Sequence, residues 1–220
     1  MKIEAVLFDI DGTLVDSNEQ HVDSWSIAFQ AEGHGQEREV IRQQIGKGGD
    51  LLLPALLPDV EDSVHERISR AQGEHFKAAY LDHVRAFPGA TDLVAMVHGT
   101  GRKVVLASSA KRDELDHYVE LLGIGPYLAA TTSIDDVEAS KPEPDIFAAA
   151  LETIGVKPAH AIVLGDTPYD IQAASGAGIA AVGLTSGPFD TAQLKDAGAV
   201  AVYGDVAELL AAFDTSPLAQ

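Results

Sequence analysis

The chain has 220 residues, 46% of them hydrophobic, with 15 Lys and Arg against 34 Asp and Glu and no cysteine. A net charge of -19 with no basic stripe repels nucleic acid and anionic membrane, so neither is expected as a partner. The absence of cysteine excludes a disulfide framework, a thiolate metal site and a thiol nucleophile, while the length allows one large core, or a core carrying an insert.

The N-terminus, MKIEAVLFDI, has no small-residue cleavage site, and no run reaches the roughly 20 apolar residues of a membrane span. A soluble cytoplasmic protein is expected, of a size and charge that allow a monomer. Apolar and β-branched runs at Ile3 to Phe8, Lys103 to Ala107, Leu128 to Thr132, Ala161 to Leu164, Ala180 to Leu184 and Val200 to Tyr203 predict strands. Helix-period stretches lie among the later ones, at Arg112 to Leu122, Pro144 to Ile154, Tyr169 to Ala174 and Val206 to Phe213, with stops expected at Gly123, Gly155 and Gly176. This alternation predicts an α/β fold with a doubly wound, Rossmann-like parallel sheet.

The alternation fails between about residue 18 and residue 86, where helices are expected over Glu19 to Ala31, Glu37 to Ile45, Asp50 to Leu57 and Val60 to His83. Val22, Trp25 and Phe29 recur at the spacing of an amphipathic face. The predicted organisation is a core of residues 1–16 and 85–220 with a helical insert, 17–84, placed after the first strand. Leu14 to Ser17 and Val84 to Pro88 are the expected hinges. The tail, Asp214 to Gln220, is expected to fray.

Ligands bind parallel sheets beyond the carboxyl ends of the strands, where strand order reverses. Asp9 and Asp11 follow the first strand, Asp166 follows Ala161 to Leu164, and Asp170 comes near the start of the next helix. Taken singly, these acids have ordinary roles: Asp11-Gly12 marks a turn, and Asp166 or Asp170 suits a helix N-terminus. Convergence of all four calls for a cation, and hard oxygen ligands suit magnesium. Ser108, with the backbone N–H groups beside it, can hold an anion or cap the helix that follows. Lys141 stands in a stiff, proline-rich turn, where a lysine serves as a fixed point charge for phosphate.

Asp9-Ile10-Asp11-Gly12-Thr13, Ser108, Lys141 and Gly165-Asp166-Thr167-Pro168-Tyr169-Asp170, in that order, resemble the four motifs of the haloacid dehalogenase-like hydrolase superfamily. The helical insert resembles the cap of its phosphoglycolate phosphatase and β-phosphoglucomutase-like branch. The resemblance implies hydrolysis of a small phosphorylated metabolite, with Asp9 as nucleophile and Asp11 as general acid and base. It implies Mg²⁺ held by Asp9, by the backbone carbonyl of Asp11 and by Asp166, with support from Asp170. Ser108, Ser109, Lys141 and Gly12 are implied on the phosphate, Gly12 allowing the turn and Thr13 orienting Asp11. Dehalogenase members lack the second aspartate, so Asp11 points to phosphoryl transfer.

Within the cap, His21 corresponds to a histidine that assists cap movement in β-phosphoglucomutases, or is a histidine on an exposed helix face. Lys47, in Ile45-Gly46-Lys47-Gly48-Gly49-Asp50, either brings a positive charge over the substrate or is solvated. The alternatives to a phosphatase are a sugar phosphomutase and a non-catalytic phosphate-binding protein. Asp16, with Ser17, is expected to cap a helix or tune a hinge.

Overall fold

The computed structural model describes residues 2–220. In chain order the elements are β1 (Ala5–Phe8), β2 (Val15–Asp16), α1 (Asn18–Ala31), α2 (Arg38–Arg42), α3 (Gly49–Leu56), α4 (Asp62–Ala79), β3 (Arg85–Ala86), α5 (Ala90–Gly99) and β4 (Lys103–Ala107). There follow α6 (Arg112–Leu122), β5 (Leu128–Thr132), α7 (Asp145–Ile154), β6 (Ala161–Gly165), α8 (Pro168–Gly176), β7 (Ala180–Leu184), α9 (Thr191–Asp196), β8 (Ala201–Tyr203) and α10 (Val206–Ala211). Among the described residues no helix is long and apolar enough to cross a membrane.

The six expected strands form one parallel sheet in the order β5-β4-β1-β6-β7-β8. β1 is central, with Ala5 in register with both Lys103 and Ala161. Strand order therefore reverses around β1, which puts the switch point at the end that carries Asp9. Alternation divides the core between the two faces: Val6, Phe8, Val104 and Leu106 pack on one, Ala5, Leu7, Val105 and Ala107 on the other. The stripe Val22, Trp25, Phe29 is buried in a separate cluster with Ile41, Leu52 and Ile68, which holds α1 to α4 together.

Several expectations need correction. Helices α5 and α9 lie where no element was expected, although Leu93, Val94 and Val97 bury an apolar face of α5. Short 3₁₀ turns at Leu81–His83 and Phe213–Thr215 replace the last turns expected of α4 and α10, and α2 ends at Arg42 rather than Ile45. Gly123 and Gly155 stop their helices in the left-handed conformation, but Gly176 is still helical and packs against Pro144. The two hinges are one structure, an antiparallel ribbon pairing Val15 with Ala86 and Asp16 with Arg85. Asp16 is exposed in that ribbon, and neither its side chain nor that of Ser17 caps α1.

The tail does not fray. Leu218 is wholly buried in the core, Ser216 Oγ donates to the Phe213 carbonyl, and Ile3 N–H donates to the Gln220 carbonyl at 2.8 Å. Truncating Leu218 opens a cavity in this core cluster, so Leu218→Ala is expected to lower unfolding free energy by about 2–5 kcal/mol. Urea denaturation checks this; a loss under about 0.5 kcal/mol would mean that the tail contributes no packing.

Candidate active site

Asp9 directly follows β1, and its N–H donates to the Leu164 carbonyl of β6 at 2.9 Å. Asp166 directly follows β6, and Asp170 closes a capping box with Thr167 at the start of α8. These three carboxylates are buried, with one oxygen of each lying within 4.8 Å of the others. Lys141, 1% exposed, comes from the loop before α7 with Nζ 2.5 Å from Asp9 Oδ1 and 2.7 Å from Asp170 Oδ1.

The remaining oxygens have their own partners. The Thr13 hydroxyl lies between Asp9 Oδ2 at 3.2 Å and Asp166 Oδ1 at 3.1 Å, while Asn18 Nδ2 donates to Asp166 Oδ2 at 2.9 Å. Asp170 Oδ2 accepts from Thr167 N–H and Oγ1 at 3.0 and 2.7 Å. Thr13 thus ties together the two strand-end acids, not Asp11 as expected. Gly12 has φ +76, and a Cβ there would stand 2.1 Å from Asp166 Oδ2 and 2.2 Å from Asn18 Nδ2. Its role is to admit Asp166; it does not line the cavity described below. Gly187 admits the same carboxylate, a Cβ there falling 2.0 Å from Asp166 Oδ2.

One ammonium among three buried carboxylates leaves an excess of negative charge. Burial pushes Asp9 up to about 7 against the pull of Lys141. Burial, reinforced by Asp9 and Asp170, also raises Asp166 well above the usual carboxylate range. Asp170 Oδ1 is buried, with the Lys141 ammonium 2.7 Å away. Three buried carboxylates that share a single ammonium, with one oxygen of each within 4.8 Å of the others, fit a hard divalent cation.

Asp11 has a different environment. Its Oδ1 accepts from Ser17 Oγ at 2.6 Å and lies 3.1 Å from His21 Nε2. Burial pushes Asp11 up, but the charge and hydrogen bond of His21, with help from Ser17, hold it below the usual range. Burial pulls His21 down, and Asp11 and Glu114 overcome it to raise His21 above its usual value. The carboxylate of Asp11 therefore stands apart from the three-acid group. His21 is not a free surface side chain: it stacks on Phe76 with centroids 3.9 Å apart and joins the cap to Asp11.

The raised His21 contributes stability below its ordinary pKa that is lost as pH rises through its folded value; the lowered Asp11 contributes above its ordinary value and loses it as pH falls. His21→Asn is therefore expected to cost about 1–2 kcal/mol more near pH 5.5 than near pH 9. Paired urea titrations at the two pH values check this, the pH-independent part reporting the lost stacking on Phe76.

Between cap and core lies a cavity of about 210 Å³. Its core side holds Asp9, Asp11, Ser108, Ser109 and Lys111. Ser108 Oγ accepts from Ala110 N–H at 3.0 Å, and Lys111 rather than Ser108 occupies the cap position of α6. Ser109 Oγ is buried without a hydrogen-bond partner, as suits a group that awaits a ligand oxygen. Lys141 lies behind Asp9 and does not line the cavity. Lys47 does line it, but its ammonium donates to Gln44 Oε1 at 2.6 Å and lies 4.7 Å from the Tyr169 ring centroid.

The cap loop also grips the core loops that carry the site. Gly48 N–H donates to Ser140 Oγ and Ser140 N–H to Asp50 Oδ2, both at 2.9 Å, and Tyr169 donates to the Gln43 carbonyl at 2.5 Å. Lys77 of α4 reaches Asp113 of α6 at 2.7 Å. Sequence reasoning missed Asn18, Ser140 and Gly187, and gave Asp50 of the glycine-rich cap loop no role of its own. Only Asn18 carried a local signal, as a polar residue beside the first motif.

A profile of the haloacid dehalogenase-like hydrolases matches residues 3–178. The chain is 27% identical over 205 residues to a phosphorylated carbohydrates phosphatase of Thermotoga maritima, covering 91% of this chain and 94% of that one. It is 30% identical over 209 residues to the phosphoglycolate phosphatase of Escherichia coli K12, covering 84% and 82%. The crystal structure of a hydrolase from Pseudomonas syringae superposes with a TM-score of 0.90 at 32% identity, covering 96% of this chain and 98% of that chain. With this fold, these carboxylates at the switch point and this match over most of its length, the chain belongs to the haloacid dehalogenase-like hydrolase family.

Proposed function

We infer that the protein is a Mg²⁺-dependent phosphatase of a small phosphomonoester that works through an aspartyl-phosphate on Asp9. The observation that carries this reading is the pair of carboxylates at the cavity floor in opposite environments, Asp9 with Lys141 and Asp11 with His21. The Asp9 carboxylate attacks phosphorus, and the bond to the leaving oxygen breaks. In its acid form Asp11 gives that oxygen a proton; in its ionised form it takes one from the water that cleaves the acyl phosphate. The His21 contact favours the ionised form, the state needed for the second step.

Ser108, Ser109 and the N–H groups beside them are suited to phosphoryl oxygens. Lys141 supplies a fixed positive charge behind Asp9 and keeps that carboxylate oriented. Asp9, Asp166 and Asp170, with the Asp11 backbone carbonyl implied by the family resemblance, would hold Mg²⁺, which when bound offsets negative charge on the transferring group.

The contact between His21 and Asp11 favours one second reading, a sugar phosphomutase that returns the phosphoryl group to substrate. A panel of phosphorylated metabolites assayed with Mg²⁺ separates the two. The phosphatase reading expects inorganic phosphate from several esters, abolished by chelation. Bisphosphate-dependent interconversion with little phosphate release supports the mutase, and no turnover with any divalent ion overturns both.

A further inference from the structure

The chain passes between core and cap only through the ribbon of Val15–Asp16 and Arg85–Ala86, so alignment finer than the ribbon imposes must come from contacts across the interface. Those of cap loop residues 46–50 converge on two core residues. Gly48 N–H donates to Ser140 Oγ and Ser140 N–H to Asp50 Oδ2, both at 2.9 Å, which closes a ring between loop and core. A Cβ on Gly48 would stand 2.7 Å from Ser140 Cβ, and one on Gly46, at φ +105, would stand 2.7 Å from Thr167 Cγ2 and Oγ1. The two glycines thus let the loop backbone lie directly on Ser140 and Thr167.

Each of these residues adjoins one half of the buried ion pair that organises the site. Ser140 precedes Lys141, whose Nζ lies 2.5 Å from Asp9 Oδ1 and 2.7 Å from Asp170 Oδ1. Thr167 holds Asp170 from the other side, donating N–H and Oγ1 to Oδ2 at 3.0 and 2.7 Å. Residues 137–144 form no helix or strand, so the turn that carries Lys141 takes its shape from what packs against it. Within that stretch Ser140 is wholly buried, and among the described residues the one acceptor of its N–H is Asp50, from the cap. The first turn of α3 accounts for an acid at position 50, but not for its aim at Ser140.

We propose that Ser140 and Asp50 are positioning residues: with the cap loop seated they fix the turn that carries Lys141, and so align its ammonium on Asp9 for attack. This rests on the phosphatase reading. Phosphate release with Mg²⁺ is measured for acetyl phosphate and p-nitrophenyl phosphate, whose leaving groups differ enough that an effect common to both is not leaving-group recognition. Asp50→Ala and Ser140→Ala are each expected to lower kcat about tenfold or more for both, with KM changed less than about threefold. Asp50→Asn keeps an oxygen that accepts from Ser140 N–H and is expected to stay within about threefold of the wild-type kcat. Trp25, the one tryptophan of the chain, reports loop seating, because a Cβ on Gly49 would stand 3.2 Å from its Cη2. Asp50→Ala is expected to raise acrylamide quenching of its emission about twofold, and Asp50→Asn to leave it unchanged.

Asp50 is exposed, so the Asp50 variants keep the test open should Ser140→Ala misfold. An unchanged kcat in Asp50→Ala, a loss confined to KM or to one ester, or Asp50→Asn as slow as Asp50→Ala overturns the positioning role while leaving the phosphatase reading intact. A lowered kcat with unchanged quenching overturns it too, since Asp50 would then act without seating the loop. No turnover of either ester by the wild type overturns both.

Discussion

Asp9→Asn is expected to lower kcat by about 10⁴-fold or more while leaving the protein folded. The amide is a poor nucleophile, so the covalent step has no substitute group in reach; Asp11 is held toward Ser17 and His21. The fold should tolerate the change because Lys141 keeps its ion pair with Asp170, and the buried acids fall from three to two. Phosphate release together with a thermal melt checks both halves. Undiminished turnover in a folded Asp9→Asn protein would exclude Asp9 as the nucleophile.

Lys141→Met is expected to lower unfolding free energy by about 3–5 kcal/mol near pH 8, a large share of the roughly 5–15 kcal/mol typical of a domain. Methionine fills a similar volume without charge, which leaves Asp9, Asp166 and Asp170 facing one another with no internal cation. Asp9 already sits at about 7 and Asp166 above its usual range. Between their ordinary and folded values the folded state holds protons that the unfolded chain has released, so stability falls as pH rises through this window. Loss of Lys141 removes the charge that pulls Asp9 down, and the deficit should grow from about pH 5 to about pH 8. Urea titrations of the metal-free protein at both pH values check this; an equal deficit at each would mean that Lys141 acts by packing alone.

The six strands, the helical insert and the order of the acidic motifs were legible because each rests on a local signal. Hydrophobic period distinguishes strand from helix, and turn residues mark where a strand delivers its acid. Val22, Trp25 and Phe29 identified the buried face of α1 for the same reason. The paired hinge strands were invisible because two residues are too few to show a period, and the tail read as polar although its single Leu218 enters the core.

What only the tertiary structure decided is which groups meet. Thr13 lies 153 positions from Asp166, Asn18 148 positions from it, and Lys141 132 positions from Asp9. No local pattern encodes such pairs, and so Thr13 was assigned to its neighbour Asp11 while Asn18 and Gly187 went unnoticed. The sequence alone determined that acids stand at successive strand ends. Packing decided that Asp9, Asp166 and Asp170 face one ammonium while Asp11 turns to a cap histidine, because buried charges settle where partners from distant segments relieve them.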